Sequence, residues 1–346
     1  MGPATMFRAA RRQRRGDRRA SVPAVAAAVA AALAVLAPAP AHAAPMCAGA
    51  GSAPPPVQVA HLPDWVESIA VDRRGRMFAT AYFSGRVHRI DAPGSAPVAL
   101  TGDIGANGGI VVRPDGGLLV GTGNDLVHSL TGDVLPVSQL LAVDPDSGEV
   151  TPYASGLGGV ALAPDGTVYT TTLGGRRGIG RVTPDGRVDP VWAEVAQPNG
   201  IAVSPDGSEV DPVWAEVAQP NGIAVSPDGS EVYVVQTTVA PGLYRIPAAD
   251  PGHPRRWLSA GPSDALALPD GLTLDSAGRP LIATHASGQI WRAEDGGLCA
   301  LESGMRLSTQ LVYGQGDRGF SAGRLYRAGV DGRIHEVPAG AEAGAR

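Results

Sequence analysis

The chain has 346 residues, 44% of them hydrophobic and 18% charged, with a formal net charge of −5. That length allows one large domain or two ordinary ones, and an acidic balance makes a nucleic-acid binder a poor reading. Glycine at 47 and proline at 31 residues, with short Val/Ile/Leu/Thr runs, favour many strands and turns over helices.

The first 44 residues read as a signal peptide. Seven arginines between Arg8 and Arg19 precede an apolar run from Val22 to Leu36, and Ala41-His42-Ala43 gives an A-x-A cleavage pattern. The run is short for a membrane span, so the expectation is cleavage and no span in the mature chain. Arg18-Arg19 leaves a twin-arginine route open beside the ordinary secretory one. Removing this segment takes seven arginines and one aspartate away. It leaves 21 Arg against 32 Asp and Glu, a net charge of −11. The expected location is secreted or extracytoplasmic. Residues 45–56 form an Ala/Pro-rich linker. It holds Cys47, whose disulfide with Cys299 is one reading and a lipid anchor the other.

From there one phrase recurs: a small or polar residue, a short apolar strand, a Pro-Asp-Gly-type turn and a second strand. It starts at Glu67, Asn107, Gly158, Asn221 and Asp270, with a degenerate sixth copy near Thr309. A unit of two strands and a turn cannot bury its own apolar face, and repetition at this spacing predicts stacked blades. The expectation is an all-β fold, a six-bladed β-propeller with four-stranded blades over residues 57–338, followed by a disordered tail at 339–346. The first blade is read as Ser68–Val71, Met77–Ala81, Arg86–Ile90 and Pro97–Leu100.

The intervals between phrases are 40, 51, 63, 49 and 39 residues, and the longest has a cause. Residues 188–209 recur without a change at 210–231. Hairpin adjacency assigns Val188-Asp-Pro-Val-Trp192 to the end of the third blade and Asn221-Gly-Ile-Ala-Val225 to the start of the fourth. About residues 197–218 are then a duplicated insert between the two, bordering the end of the propeller where the phrases start.

The phrase-starting residues would ring that end. Glu67, Asn221 and Asp270 supply two carboxylates and one amide oxygen, a hard donor set suited to Ca²⁺, with Mg²⁺, Mn²⁺ or Zn²⁺ as other divalent candidates. Asn107 offers either a fourth oxygen to the cation or a contact to substrate, and Asn199 is the alternate ligand from the duplicated copy. Asp270 is a candidate base, and His285, placed after the second strand of the fifth blade, is a second acid/base candidate. The plainer reading is that Asn-Gly and Asp-Gly form turns. The connections Tyr82–Gly85, Gly123–Ser138 and His285–Gly288 fall at the same end, the second long enough to act as a lid. No zinc-spaced Cys/His cluster, Gly-rich phosphate loop or G-x-S-x-G elbow is present.

Over Gln219–Val235 (Gln-Pro-Asn-Gly-Ile-Ala-Val-Ser-Pro-Asp-Gly) and Pro269–Arg279 (Pro-Asp-Gly-Leu-Thr-Leu-Asp-Ser-Ala-Gly), the chain resembles the regucalcin/gluconolactonase (senescence marker protein) family. It is more distantly similar to paraoxonases and strictosidine synthases. The resemblance implies a six-bladed propeller. It implies metal ligands at Asn221 (or Asn199), Asp270 and Glu67, with Asp270 also the base. Gly158 stands where the family has an asparagine, and Glu67 lies in Val-Glu-Ser-Ile where Glu-Gly-Pro is usual. The expected function is an exported, metal-dependent hydrolase that opens a lactone or related ester by metal-activated water. It would act as a monomer on a small molecule. A non-catalytic ligand- or protein-binding propeller is the alternative.

Overall fold

The computed structural model describes residues 44–123, 139–155, 159–162, 167–172, 178–193, 220–226, 228, 230–237, 241–247, 255–261, 264 and 266–345. After β1 (Val57–His61) come β2 (Val66–Val71), β3 (Met77–Ala81), β4 (Arg86–Ile90) and β5 (Val98–Ala99). Next are β6 (Ile110–Val112), β7 (Leu118–Gly121), β8 (Gln139–Val143), β9 (Val150–Ser155), β10 (Gly159–Leu162), β11 (Val168–Thr172), β12 (Gly178–Val182) and β13 (Val188–Ala193). The last are β14 (Pro220–Val225), β15 (Glu231–Gln236), β16 (Gly242–Pro247), β17 (Arg255–Ser259), β18 (Pro269–Leu274), β19 (Pro280–Thr284), β20 (Ile290–Glu294), β21 (Gly297–Glu302), β22 (Ser308–Tyr313), β23 (Leu325–Gly329) and β24 (Arg333–Glu336).

These strands make six four-stranded antiparallel sheets. Five are simple meanders, β2 to β5 and onward in fours. The sixth is β22-β23-β24 completed by β1, the earliest strand in the chain. The first strands of neighbouring sheets pack in the order β10, β6, β2, β22, β18, β14. This is a propeller-type, all-β arrangement. Second strands such as β3 and β19 are buried along their whole length because neighbouring sheets cover both faces. Their sequences, Met-Phe-Ala-Thr-Ala and Pro-Leu-Ile-Ala-Thr, are apolar runs without alternation for that reason.

The hairpins that join first to second strands are set by an aspartate. Asp72 Oδ1 accepts the N–H groups of Arg74 and Arg76 at 3.0 and 2.8 Å, while Oδ2 takes Arg76 Nε at 2.8 Å. Asp275 repeats the pattern with Ala277 and Arg279. Gly75 and Gly278, at φ 77° and 75°, supply the left-handed residue each turn needs.

Several sequence expectations change. The first and fourth strands of the first sheet run Val66–Val71 and Val98–Ala99, not Ser68–Val71 and Pro97–Leu100. The stretch expected to be a linker docks instead. Cys47 N–H donates to Ala300 O and Ala300 N–H to Pro45 O, both at 2.8 Å, so residues 44–47 add to the edge of β21. Cys47 and Cys299 form a disulfide there. The buried Gln289 amide donates to Ala44 O and accepts from Ala44 N–H, each at 3.1 Å, which fixes the arm at its start. The stretch expected to be a disordered tail is also placed: Glu342 N–H donates to Gly323 O, and Glu342 Oε1 accepts Ser276 N–H at 2.6 Å. Residues 44–47 reach a sheet edge and bury Cys47, with Ala50, in a hydrophobic cluster, while Glu342 bonds the turns at Gly323 and Ser276. The third and fourth sheets divide as hairpin adjacency predicts, with Val188–Ala193 ending one and Pro220–Val225 opening the other. The insert 197–218, with Asn199, lies outside the described residues, as do Gly158 and residues 124–138.

Candidate functional site

In four of its copies the recurring phrase puts its polar residue at the same structural position. Glu67, Asn221, Asp270 and Thr309 are each the second residue of a first strand: β2, β14, β18 and β22. Each falls where the ladder to the second strand shifts register: between Val66 and Ser68, Pro220 and Ile223, Pro269 and Leu272, and Ser308 and Gln310. A bulge of this kind bends the strand and turns a side chain away from the alternation of the sheet. In β2 the break is repaired by Thr80 Oγ1, which accepts Ser68 N–H at 3.1 Å and donates to Gly108 O at 2.9 Å.

The glycine after Asn221 and Asp270 has a packing role. A Cβ at Gly222 would meet Asp270 O, and Leu272 N at 2.6 Å; a Cβ at Gly271 would meet Gln310 Oε1, and Thr309 O at 2.5 Å. The Asn-Gly and Asp-Gly pairs therefore sit inside strands and let neighbouring first strands approach at the level of the site. They are not turn residues. Gly271→Ala is expected to destabilise the protein by about 1–3 kcal/mol, because the added methyl is opposed by backbone that cannot rotate away. Denaturant unfolding of the variant checks this as a lowered midpoint at unchanged slope.

Strand order then fixes the order of site residues around this end: Asn107 ahead of β6, Glu67 on β2, Thr309 on β22, Asp270 on β18, Asn221 on β14. Asn107 is buried. Thr309 is also buried, and its hydroxyl donates to Val66 O at 2.8 Å, so the sixth position ties two sheets together and is spent on structure. Among the described residues no group of three or more His, Cys, Asp or Glu side chains is arranged to hold a metal ion. The expected set contains only two carboxylates, with an amide as third donor.

Asp270 and His285 do meet: Oδ2 and Nδ1 lie 3.4 Å apart, both side chains largely buried. His285 is fixed through its backbone. Its N–H donates to Leu268 O at 2.9 Å, and its carbonyl accepts Leu307 N–H at 2.8 Å. Leu268 and Leu307 are the two non-glycine residues with positive φ among those described, 52° and 65°. Left-handed backbone costs about 1–3 kcal/mol at such a residue. The surrounding bonds hold both leucines in place, at the entries to β18 and β22.

Three aromatic residues that sequence reasoning did not single out complete this end. Trp65 stacks on Tyr82 with ring centroids 4.7 Å apart and planes 19° apart. Phe83 meets both edge-on, at 6.0 Å from Trp65 and 5.3 Å from Tyr82. The Trp65 ring centroid is 6.1 Å from that of His285. Asp64 builds the group by accepting the N–H groups of Trp65, Phe83 and Ser84 at 2.7, 3.0 and 2.9 Å. Burial works against its charge, but the donors from Ser84, Phe83 and Trp65 outweigh that and hold the Asp64 carboxyl below its ordinary range. The available signal was Tyr82-Phe83 opening a loop at the phrase-starting end of the chain.

A cavity of about 1110 Å³ opens at the other end, lined by Ile69, Val112, Leu272 and the Asp72–Arg76 turn. Its charged rim residues satisfy one another, with Arg76 on Asp72 at 2.8 Å and Arg113 on Asp115 at 2.8 Å. The polar residues carried by the bulges lie at the opposite end.

Residues 208–319 match the family model described as the SMP-30/Gluconolactonase/LRE-like region. That segment contains Asn221, Asp270 and His285. No curated protein sequence matches the chain. Among solved structures the chain is similar to virginiamycin B lyase from Staphylococcus aureus, at 14% identity and TM-score 0.60, over 81% of this chain and 97% of that one. It is similar to a gluconolactonase from Xanthomonas campestris at 16% identity and TM-score 0.59, over 87% and 96%. It is also similar to a luciferin-regenerating enzyme at 14% and 0.56, over 84% and 97%. At these identities the likeness is one of fold.

Proposed function

We propose that the six sheets close as a six-bladed propeller and that the chain is an exported hydrolase opening a lactone or related ester, dependent on a divalent cation. The observation that carries the reading is the placement of Asp270 against His285, 3.4 Å apart, inside the segment that matches the gluconolactonase-type family model. Export is supported by the Cys47–Cys299 disulfide, since such bridges persist in oxidising compartments. Among the described residues no helix is long and apolar enough to cross a membrane.

Glu67, Asn221 and Asp270 would hold the cation, and their hard oxygens fit Ca²⁺. Bound there, it would supply Lewis acidity toward a carbonyl oxygen and toward water. The chain's own residues do the rest. Asp270 Oδ2 accepts the proton of the attacking water. His285 Nδ1, beside that oxygen, receives it or fixes the carboxylate's orientation, and the proton ends on the alkoxide oxygen released when the acyl C–O bond breaks. Asn107 offers an amide to the substrate, and the left-handed Leu268 and Leu307 keep His285 in place. The complex would function as a monomer.

Calorimetry of the chain from Ala44 onward tests the reading. Calcium is expected to bind the parent at one site, Glu67→Gln to abolish that binding, and chelation to abolish turnover of a lactone panel. Full lactone turnover by chelated protein would remove the metal from the reaction. A folded parent that neither binds calcium nor turns over any lactone would favour the non-catalytic binding propeller.

A further inference from the structure

The aromatic group beside the Asp270–His285 pair is not accounted for by stability. Phe83 is 76% exposed, the most exposed large apolar side chain among the described residues, yet its backbone N–H is fixed by Asp64. The Trp65 indole N–H is buried and has no hydrogen-bond partner. A tryptophan serving the core alone would normally have that donor satisfied. A second exposed apolar residue, Leu266 at 65%, lies on the connection that enters β18, at the same end. An exposed ring set edge-on to a Trp–Tyr stack that adjoins an acid/base pair is a surface prepared for a ligand's apolar face.

We infer that Trp65, Tyr82 and Phe83 form a subsite for a planar apolar ring on the substrate, so that the preferred substrates are lactones or esters with an aromatic ring next to the scissile carbonyl, not polyhydroxylated sugar lactones. The geometry sets the reach. The Trp65 ring centroid is 6.1 Å from that of His285, within direct ring–ring contact, so the aromatic group adjoins the acid/base pair. A ring lying on Phe83 and the edge of Trp65 therefore presents an adjoining carbonyl to Asp270 and His285. A polyhydroxylated ring buries less apolar area on the exposed Phe83 and Leu266 surface than a planar aromatic ring does, which favours the aromatic substrate. Asp64 is the positioning residue: by holding the Phe83 and Ser84 amides it keeps the platform upright.

This rests on the hydrolase reading only for the carbonyl the ring carries. The test is binding, using two lactams that cannot turn over: the bicyclic aromatic δ-lactam 3,4-dihydro-2-quinolinone and the polyhydroxylated gluconolactam. Calorimetry on the chain from Ala44 onward is expected to give about ten-fold or more tighter binding of the aromatic lactam, with Phe83→Ala weakening it about ten-fold and Phe83→Leu less. Because Phe83 is mostly exposed, its thermal midpoint should match the parent's, which separates loss of the platform from loss of fold. Equal or tighter binding of gluconolactam, no binding of either lactam, or unchanged affinity in Phe83→Ala would each overturn the subsite. Aromatic-lactam binding that depends on Phe83, in a protein that hydrolyses no lactone, would uphold the subsite and sink the hydrolase reading. Hydrolysis of lactones with no preference for an aromatic ring would do the reverse.

Discussion

Asp270→Asn is expected to lower kcat/KM for lactone hydrolysis by about 10²–10⁴-fold, the range lost when a positioned general base is removed. The substitution keeps the size of the side chain, so the bulge after Pro269 and the contact of Gly271 with β22 should persist. What is lost is the negative oxygen that lies 3.4 Å from His285 Nδ1. An amide cannot accept the water proton. It also contributes a weaker donor to a divalent cation, so calcium affinity should fall in parallel. Steady-state kinetics on the same lactone, with thermal midpoints as the control for folding, makes the comparison. If Asp270→Asn kept parent activity while His285→Gln lost it, the base would be His285, and Asp270 would only orient it. If both retained activity, the chemistry would lie elsewhere.

The second large effect concerns stability. Removing the Cys47–Cys299 bridge by a double Cys→Ser substitution is expected to cost about 2–4 kcal/mol of folding stability. The bridge spans 252 residues of sequence, so in the chain-entropy account it constrains nearly the whole unfolded propeller. It also secures the arm at 44–47 to β21, where two backbone hydrogen bonds and the Gln289 amide already hold it. Denaturant unfolding of parent, reduced parent and double variant reads the effect. The reduced parent should coincide with the variant, and reductant should leave the variant unmoved. A variant as stable as the oxidised parent would mean that the hydrogen bonds alone suffice to fasten the arm.

Much of the fold was legible because its signals are local. A Pro-Asp-Gly turn between two apolar runs specifies a hairpin through neighbouring residues alone, and repetition of the unit implies that units must cover one another. Hairpin adjacency also sorted the duplicated segment, placing Val188–Ala193 and Pro220–Val225 in the third and fourth sheets. The termini were misread because neither carries a hydrophobic pattern. Ala44–Cys47 and Glu342 are held by hydrogen bonds whose partners, Ala300, Gln289 and Gly323, are remote and unmarked in sequence; only the Cys47–Cys299 bridge was among the sequence readings.

The sequence by itself determined the repeat, its strand content and the residue types that open each phrase, since these follow from side-chain chemistry within about ten residues of one another. Tertiary structure alone decided what those residues could do. Bulges at Glu67, Asn221, Asp270 and Thr309 arise from pairing between first and second strands, and no local propensity announces them. Packing between sheets made Gly222 and Gly271 contact residues and turned the Thr309 hydroxyl onto Val66. The approach of the Trp65 ring to His285 joins segments 220 residues apart in the chain, and only the side-by-side packing of β2, β22 and β18 brings such distant segments to one end.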